Sequence, residues 1–169
     1  MLLNAETWHE ISKENIEELE SVDRNLLKRI LEVPDSTPNV SLYLEFGIVP
    51  IRFLIQAKRI LFLKYILNSP EEEIMANVLK AQERNPIKGD WYSTVCEDIK
   101  EFELNYTIDE IQNMSKVELT RKVKDSMKKV AFKYLNDEKN EKSKVLNLQY
   151  KSLNIQNYFT TNKIKTNQK

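Results

Sequence analysis

Glycine is scarce in this sequence, and that scarcity limits what the chain can fold into. Only 2 of the 169 residues are Gly and 5 are Pro, so few positions suit the tight turns that join many short strands. A β-barrel or β-sandwich is therefore nearly excluded. The length corresponds to one domain of ordinary size, and we expect a single helical core.

Apolar residues recur at spacings of three and four, as is typical of amphipathic helices. The sequence predicts an all-α fold with about six to seven helices in a single irregular bundle. Ser12, Thr37 and Asp90 are predicted helix caps, and Ser115 with Glu118 is a predicted capping box. Gly47 is predicted to end a helix in the left-handed conformation. The expected helices cover roughly residues 12–32, 39–46, 50–68, 70–84, 90–99, a brief segment from 107, and 116–133.

The two predicted helices at 12–32 and 50–68 carry the clearest apolar patterns. In the first, one apolar stripe is predicted to pack in the core. Its residues are Ile16, Leu19, Val22, Leu26, Leu27, Ile30 and Leu31. The second is apolar on most of its surface, so most of its faces must be buried.

Composition changes after residue 137. Residues 1–137 are predicted to form one helical, thumb-like domain, and residues 138–169 a basic, polar tail that is mostly disordered, because Lys, Asn, Gln, Ser and Thr dominate it. Scattered apolar residues in this tail indicate an alternative, in which a segment of it becomes ordered on binding a partner. These residues are Leu146, Leu148, Tyr150, Leu153, Ile155, Tyr158 and Phe159.

Charge is unevenly distributed although it sums to zero. Residues 1–114 hold 12 basic and 21 acidic residues, whereas residues 115–169 hold 14 basic and 5 acidic residues. A segregated basic end attracts polyanions such as nucleic acid even when the whole chain is neutral. The alternatives are that the two ends neutralise each other within the molecule, or that the basic tail is only a solubilising extension.

Residues for catalysis and metal binding are few. The sequence contains one His, His9, and one Cys, Cys96. These are too few ligands for a typical zinc site. No recognisable nucleophile, glycine-rich phosphate loop or Asp-Asp pair is present. We therefore expect no catalytic residue, no metal and no cofactor. A lone Cys favours a reducing, intracellular compartment, cytoplasm or nucleus. No membrane span is expected, because charged residues interrupt the longest apolar region.

The last predicted helix carries basic residues opposite its apolar stripe. Such a face can lie along a phosphate backbone without reading sequence, and an ordinary solvated face is the competing interpretation. The candidate nucleic-acid-binding residues are Arg121, Lys122, Lys124, Lys128, Lys129 and Lys133.

A series of short segments follows a characteristic order along the chain. The segments are 6–8 (ETW), 26–31 (LLKRIL), 36–38 (STP), 42–47 (LYLEFG), 50–52 (PIR), 59–63 (RILFL), 85–92 (NPIKGDWY) and 131–135 (AFKYL). In this order they resemble the region downstream of the reverse-transcriptase domain in LINE-type, non-LTR retrotransposon polyproteins. The resemblance covers roughly residues 5–151.

The resemblance implies a part of a larger RNA-directed DNA polymerase rather than the polymerase itself. In such elements the catalytic aspartates and the endonuclease lie upstream, and this chain contains neither. We therefore expect a non-catalytic fragment of a transposable element, from the helical part that would grip template and primer. The alternative is a helical protein-interaction module with no nucleic-acid role, which self-associates through the apolar helix 50–67.

Overall fold

The computed structural model of the protein describes residues 3–9 and 11–142, with side chains through residue 138. These residues form seven α-helices and one short 3₁₀ helix, and none of them lies in a strand, which confirms the all-α prediction. The 3₁₀ helix is Ala5–Thr7; the α-helices are α1 (Lys13–Ile30), α2 (Asn39–Phe46), α3 (Ile51–Leu67), α4 (Ile74–Arg84), α5 (Trp91–Glu101), α6 (Ile108–Asn113) and α7 (Lys116–Lys142).

Several helix ends are fixed by the residues that the sequence indicates. Ser12 Oγ accepts a hydrogen bond from the Asn15 amide, and Asp90 Oδ1 accepts one from the Ser93 amide at 2.7 Å. Both contacts satisfy a backbone donor that the first turn of a helix leaves without a partner. Gly47 ends α2 with a φ of 64°, a conformation in which a Cβ atom would be strained.

The cap of α2, the start of α4 and the end of the last helix differ from the prediction. Pro38, and not Thr37, precedes α2, and no side chain caps that helix. Residues 70–73 form a turn closed by the Glu73 amide on the Pro70 carbonyl, so α4 begins at Ile74. The last helix continues nine residues beyond Lys133, to Lys142, so the predicted tail boundary at 137/138 falls inside a helix. The rest of the predicted tail lies outside the described residues.

Helix α3 is the centre of the fold. It contacts α1, α4, α5, α6, α7 and the 3₁₀ helix, and Phe53, Ile60 and Leu63 are among its fully buried side chains. The predicted self-association through residues 50–67 therefore has little surface available, because the chain itself covers most of this helix. The main core adds residues of α2, α5 and α6, and one edge of α7.

Helix α1 packs through one side only. Glu20 is buried, and its carboxylate accepts hydrogen bonds from Nε and Nη2 of Arg52 at 2.7 and 2.8 Å. Lys28 Nζ donates a hydrogen bond to the Asp35 carbonyl at 2.6 Å. The apolar stripe predicted for the core only partly reaches it. Leu27 packs against the main core as predicted, whereas Val22, Leu26 and Ile30 are exposed.

The stripe prediction was wrong at these three positions because two polar residues take the buried side of α1. Glu20 has Arg52 of α3 as a partner, and Lys28 has a carbonyl of the α1–α2 loop. Hydrogen-bonding partners of this kind compensate for the burial of a charge. The helix is therefore rotated so that part of its apolar stripe lies at the surface.

Candidate nucleic-acid interface

Helix α7 presents the six predicted nucleic-acid-binding residues. Its buried edge repeats every fourth residue, through Leu119, Val123, Met127, Ala131 and Leu135. Because an α-helix has 3.6 residues per turn, this edge fixes which positions face away from the core. All six basic residues lie off the edge, and five of them are exposed while Lys122 is half-buried.

Three of the six form an outer row on one face of α7. Arg121, Lys124 and Lys128 follow each other at spacings of three and four, which places them on successive turns of the same face. All three are exposed, and none makes an ion pair within residues 3–9 and 11–138. The charges of this outer row are therefore available to an anionic ligand.

Lys122 is held by its own molecule instead. Its ammonium lies 2.9 Å from Glu118 one turn earlier and 4.5 Å above the ring of Tyr106. Its pKa is raised by the contact with Tyr106 and by Glu118, as expected when a neighbour favours the charged form. These contacts attach the start of α7 to the segment before α6, so Lys122 has a structural role.

Glu103 offsets the charge of Lys129 and Lys133. Lys129 Nζ lies 2.7 Å from Glu103 Oε2, and the pKa of Glu103 is lowered chiefly by that hydrogen bond, with Lys133 adding to the effect. This ion pair is exposed, so it contributes little to stability. It nevertheless reduces the positive potential on this side of α7.

The structure therefore divides the predicted site into an outer row of free cations and a second group that is partly neutralised. Glu118 and Lys122 are four residues apart in the sequence, and this spacing of opposite charges on a helix predicts their ion pair. Glu103 is 26 residues away from Lys129, and no local pattern joins them. Asp125, which the sequence places between the two groups, further limits the net charge of this surface.

An open groove of about 850 Å³ lies between α1, α3 and α5. Its floor contains the buried pair Arg59 and Asp98, joined by two hydrogen bonds of 2.7 and 2.9 Å. Arg59 Nη1 also donates to the carbonyls of Trp8 and His9. Burial raises the pKa of Asp98, while Arg59 acts in the opposite direction. This network holds the N-terminal segment on the bundle. The charges of Arg59 and Asp98 are paired with each other.

A smaller apolar groove of about 430 Å³ lies between α3, α4 and the N-terminal segment. Phe62 and Trp91 meet edge to face there, with ring centroids 5.9 Å apart, and the exposed His9 lies at its rim. Cys96 is elsewhere on α5 and half-buried, and burial raises its pKa. A raised thiol pKa disfavours the reactive thiolate.

Within residues 3–9 and 11–142, no group of three or more His, Cys, Asp or Glu residues is arranged to hold a metal ion. No helix in the same part of the chain is long and apolar enough to cross a membrane.

The sequence matches no family model, and neither the curated proteins nor the solved structures yield a match. The resemblance to the region downstream of a retrotransposon reverse transcriptase thus stays a prediction.

Proposed function

We propose that this chain is a non-catalytic helical domain that binds the phosphate backbone of RNA or DNA without reading its sequence. The observation that supports the proposal is the outer row of α7, where Arg121, Lys124 and Lys128 are exposed on one face with no ion pair in the described part of the chain. The resemblance to a post-polymerase region of retrotransposon polyproteins favours the same function.

The geometry of the row suits a single strand. Seven residues separate Arg121 from Lys128, which corresponds to about 10 Å along a helix axis. A flexible strand can bring about three successive phosphates within reach of side chains over this distance. Binding of this kind releases condensed counterions and does not depend on base identity.

The asymmetry of charge orients the complex. Residues 1–114 carry an excess of acidic side chains, so a polyanion is repelled by most of the bundle and attracted to α7. Long-range fields of this kind direct the approach of a charged ligand more than they strengthen the final complex. We therefore expect a weak complex with one preferred orientation.

Salt dependence measures the number of phosphate contacts. For single strands, each contact contributes a slope of about −0.7 in a plot of log affinity against log salt. Three contacts predict a slope of about −2, so a fourfold increase in salt weakens binding by roughly twentyfold. Fluorescence anisotropy of a labelled single-stranded RNA, titrated with the full chain at several salt concentrations, measures this slope.

A pair of matched variants tests where the contacts are. The triple variant Arg121→Glu, Lys124→Glu, Lys128→Glu is expected to weaken RNA binding by at least about tenfold, since three attractions become repulsions. The control, Arg84→Glu, Lys88→Glu, Lys100→Glu, changes the net charge equally at exposed positions outside α7 and is expected to bind nearly as well as the parent. Equal losses in both variants, or affinity that does not change with salt, would contradict the proposal.

A protein-interaction module is the second candidate function, and a separate observation favours it. Large apolar side chains are exposed on α1 and on α4, including Val22, Ile30 and Ile74. Contiguous exposed apolar surface is typical of contact sites for other proteins. This surface lies on different helices from the 50–67 segment that the sequence analysis proposed.

A further inference from the structure

We propose that the exposed apolar stripe of α1 is a self-association surface, which packs antiparallel against α1 of a second copy of this chain about a twofold axis. The stripe consists of Leu19, Val22, Leu26 and Ile30. The inference concerns a different helix from the proposed nucleic-acid interface and does not depend on it.

The stripe is apolar and continuous, and no other described residue covers it. Val22, Leu26 and Ile30 are 57, 50 and 65% exposed to solvent, and Leu19 is half-buried. At 3.6 residues per turn, spacings of three and four place the four side chains within about a quarter of the helix circumference. This spacing is the one by which two helices pack side chains into each other's grooves.

The stripe continues into a surface groove at its N-terminal end. A groove of about 590 Å³ is lined by Leu19 and Val22 of α1 and by Trp8 and Ile11 of the N-terminal segment. A partner helix laid along α1 therefore meets more apolar surface than the stripe alone. The opposite side of α1 is already used by the fold, through Glu20 and Lys28.

Charges beside the stripe indicate which partner fits. Glu18 and Arg29 lie along the same edge of the stripe, one residue before its first and last members, and both are exposed. Neither makes an ion pair within the described residues. A twofold axis through the middle of the stripe brings Glu18 of each copy towards Arg29 of the other. A parallel twofold arrangement would place this edge of the two copies on opposite sides of the contact, so Glu18 and Arg29 would not meet.

This pattern of opposite charges at the two ends of an apolar stripe makes the surface complementary to itself. Self-complementarity is the defining property of an interface in which the same patch of both subunits meets across a twofold axis. Asp23, on the other edge, is half-buried against the fold, so its charge is turned away from the centre of the contact. A second copy of the chain is therefore the occupant that the charges favour.

The contact is small, and this determines how it must be measured. Specific interfaces of standard size bury about 800 Å² on each partner, and one helix face with a neighbouring groove falls short of this area. We expect a dimer that dissociates on dilution, with a dissociation constant above about 1 μM. Sedimentation velocity of the full chain over a wide concentration range, without nucleic acid, detects such an equilibrium.

Charge-reversal variants make the test specific to the antiparallel arrangement. Glu18→Arg and Arg29→Glu are each expected to weaken dimerisation at least about fivefold, because the twofold axis repeats every repulsion. The double variant Glu18→Arg, Arg29→Glu is expected to restore dimerisation towards that of the parent. A second test, Leu26→Lys, places a charge at the centre of the stripe and is expected to give a monomer.

Several results would overturn the proposal. They are a parent chain that is monomeric at every concentration, a double variant that dimerises no better than the single variants, and a dimer that is unaffected by Leu26→Lys. Circular dichroism spectra confirm that each variant remains helical. A matched reversal at two exposed positions away from α1, Glu72→Arg in the turn before α4 with Arg84→Glu at the end of α4, is expected to leave the equilibrium unchanged, and a similar loss in this control would also contradict the assignment to α1.

Discussion

At the scale of single residues, the strongest constraints in this bundle are charged groups that have been buried with partners. Arg59 and Asp98 are both nearly inaccessible to solvent and share two hydrogen bonds. Two such groups lose much of their hydration, and a close ion pair with additional hydrogen bonds offsets that cost. Arg59 obtains the additional bonds from the carbonyls of Trp8 and His9, so one side chain connects α3, α5 and the N-terminal segment.

Removal of one partner is expected to destabilise the fold strongly. Asp98→Ala leaves the guanidinium of Arg59 buried without its carboxylate, and the free energy of unfolding should fall by about 3–5 kcal/mol. Equilibrium unfolding in urea, followed by circular dichroism, measures this change. The control Glu97→Ala alters a neighbouring exposed carboxylate and should change stability by less than about 0.5 kcal/mol. Similar effects of the two variants would show that the buried pair has no special role.

Burial of Tyr43 makes the stability of the fold depend on pH. Burial, followed by the nearby Glu20 and Asp23 carboxylates, raises the pKa of its hydroxyl above the ordinary value of 10.0. The unfolded chain therefore loses this proton at a pH where the folded chain still holds it. Because the folded state then binds more protons than the unfolded state, stability must fall as the pH rises above about 10.

We expect Tyr43→Phe to reduce that alkaline loss of stability. At neutral pH the variant should differ from the parent by less than about 1.5 kcal/mol, since the ring is retained and only a hydroxyl is removed. Urea unfolding between pH 7 and about 11 gives the two stability profiles. A residual slope is expected from Tyr92, whose pKa is raised by burial to about 12. Parallel profiles for parent and variant would contradict this account.

At the scale of helices, local signals in the sequence were sufficient for most boundaries. Ser12 and Asp90 cap the helices that they were predicted to cap, and Gly47 ends α2 with the expected positive φ. These features depend on residues three or four positions apart, which a sequence displays directly. The start of α4 was placed too early because Glu71–Glu73 suit the first turn of a helix, whereas the chain uses Pro70 and these residues for a separate turn.

The orientation of helices could not be obtained in the same way. An apolar stripe predicts the buried side of an isolated helix, but α1 is rotated by the contact of Glu20 with Arg52 of α3 and that of Lys28 with the loop after α1. The same limitation affected the candidate site on α7. Its six basic residues were found from spacing, and the pairing of Lys129 with Glu103 depends on tertiary structure. Sequence patterns thus indicated which helix is basic, and the packing determined which of its charges are free.

At the scale of the whole molecule, the fold is organised around α3. This helix contacts α1, α4, α5, α6, α7 and the 3₁₀ helix, and it provides buried side chains to both the main core and the smaller cluster beneath the N-terminal segment. Helix α4, by contrast, buries only Ala76 and Leu79 and exposes Ile74, Met75 and Val78. Regions with few buried contacts open at lower free energy than the core of a protein.

Amide hydrogen exchange should therefore be slower in α3 than in α4. We expect amides in the middle of α3 to exchange only when the whole bundle unfolds, and those of α4 to exchange through an opening at least about 1 kcal/mol less costly. Native-state exchange at increasing urea concentration, read by mass spectrometry or NMR, distinguishes global from local opening. Leu63→Ala, which removes a fully buried side chain of α3, should lower the protection of these α3 amides by about 2–5 kcal/mol. Amides of α4 that are as well protected as those of α3 would show that the bundle opens as one unit, and α3 would not be its organising element.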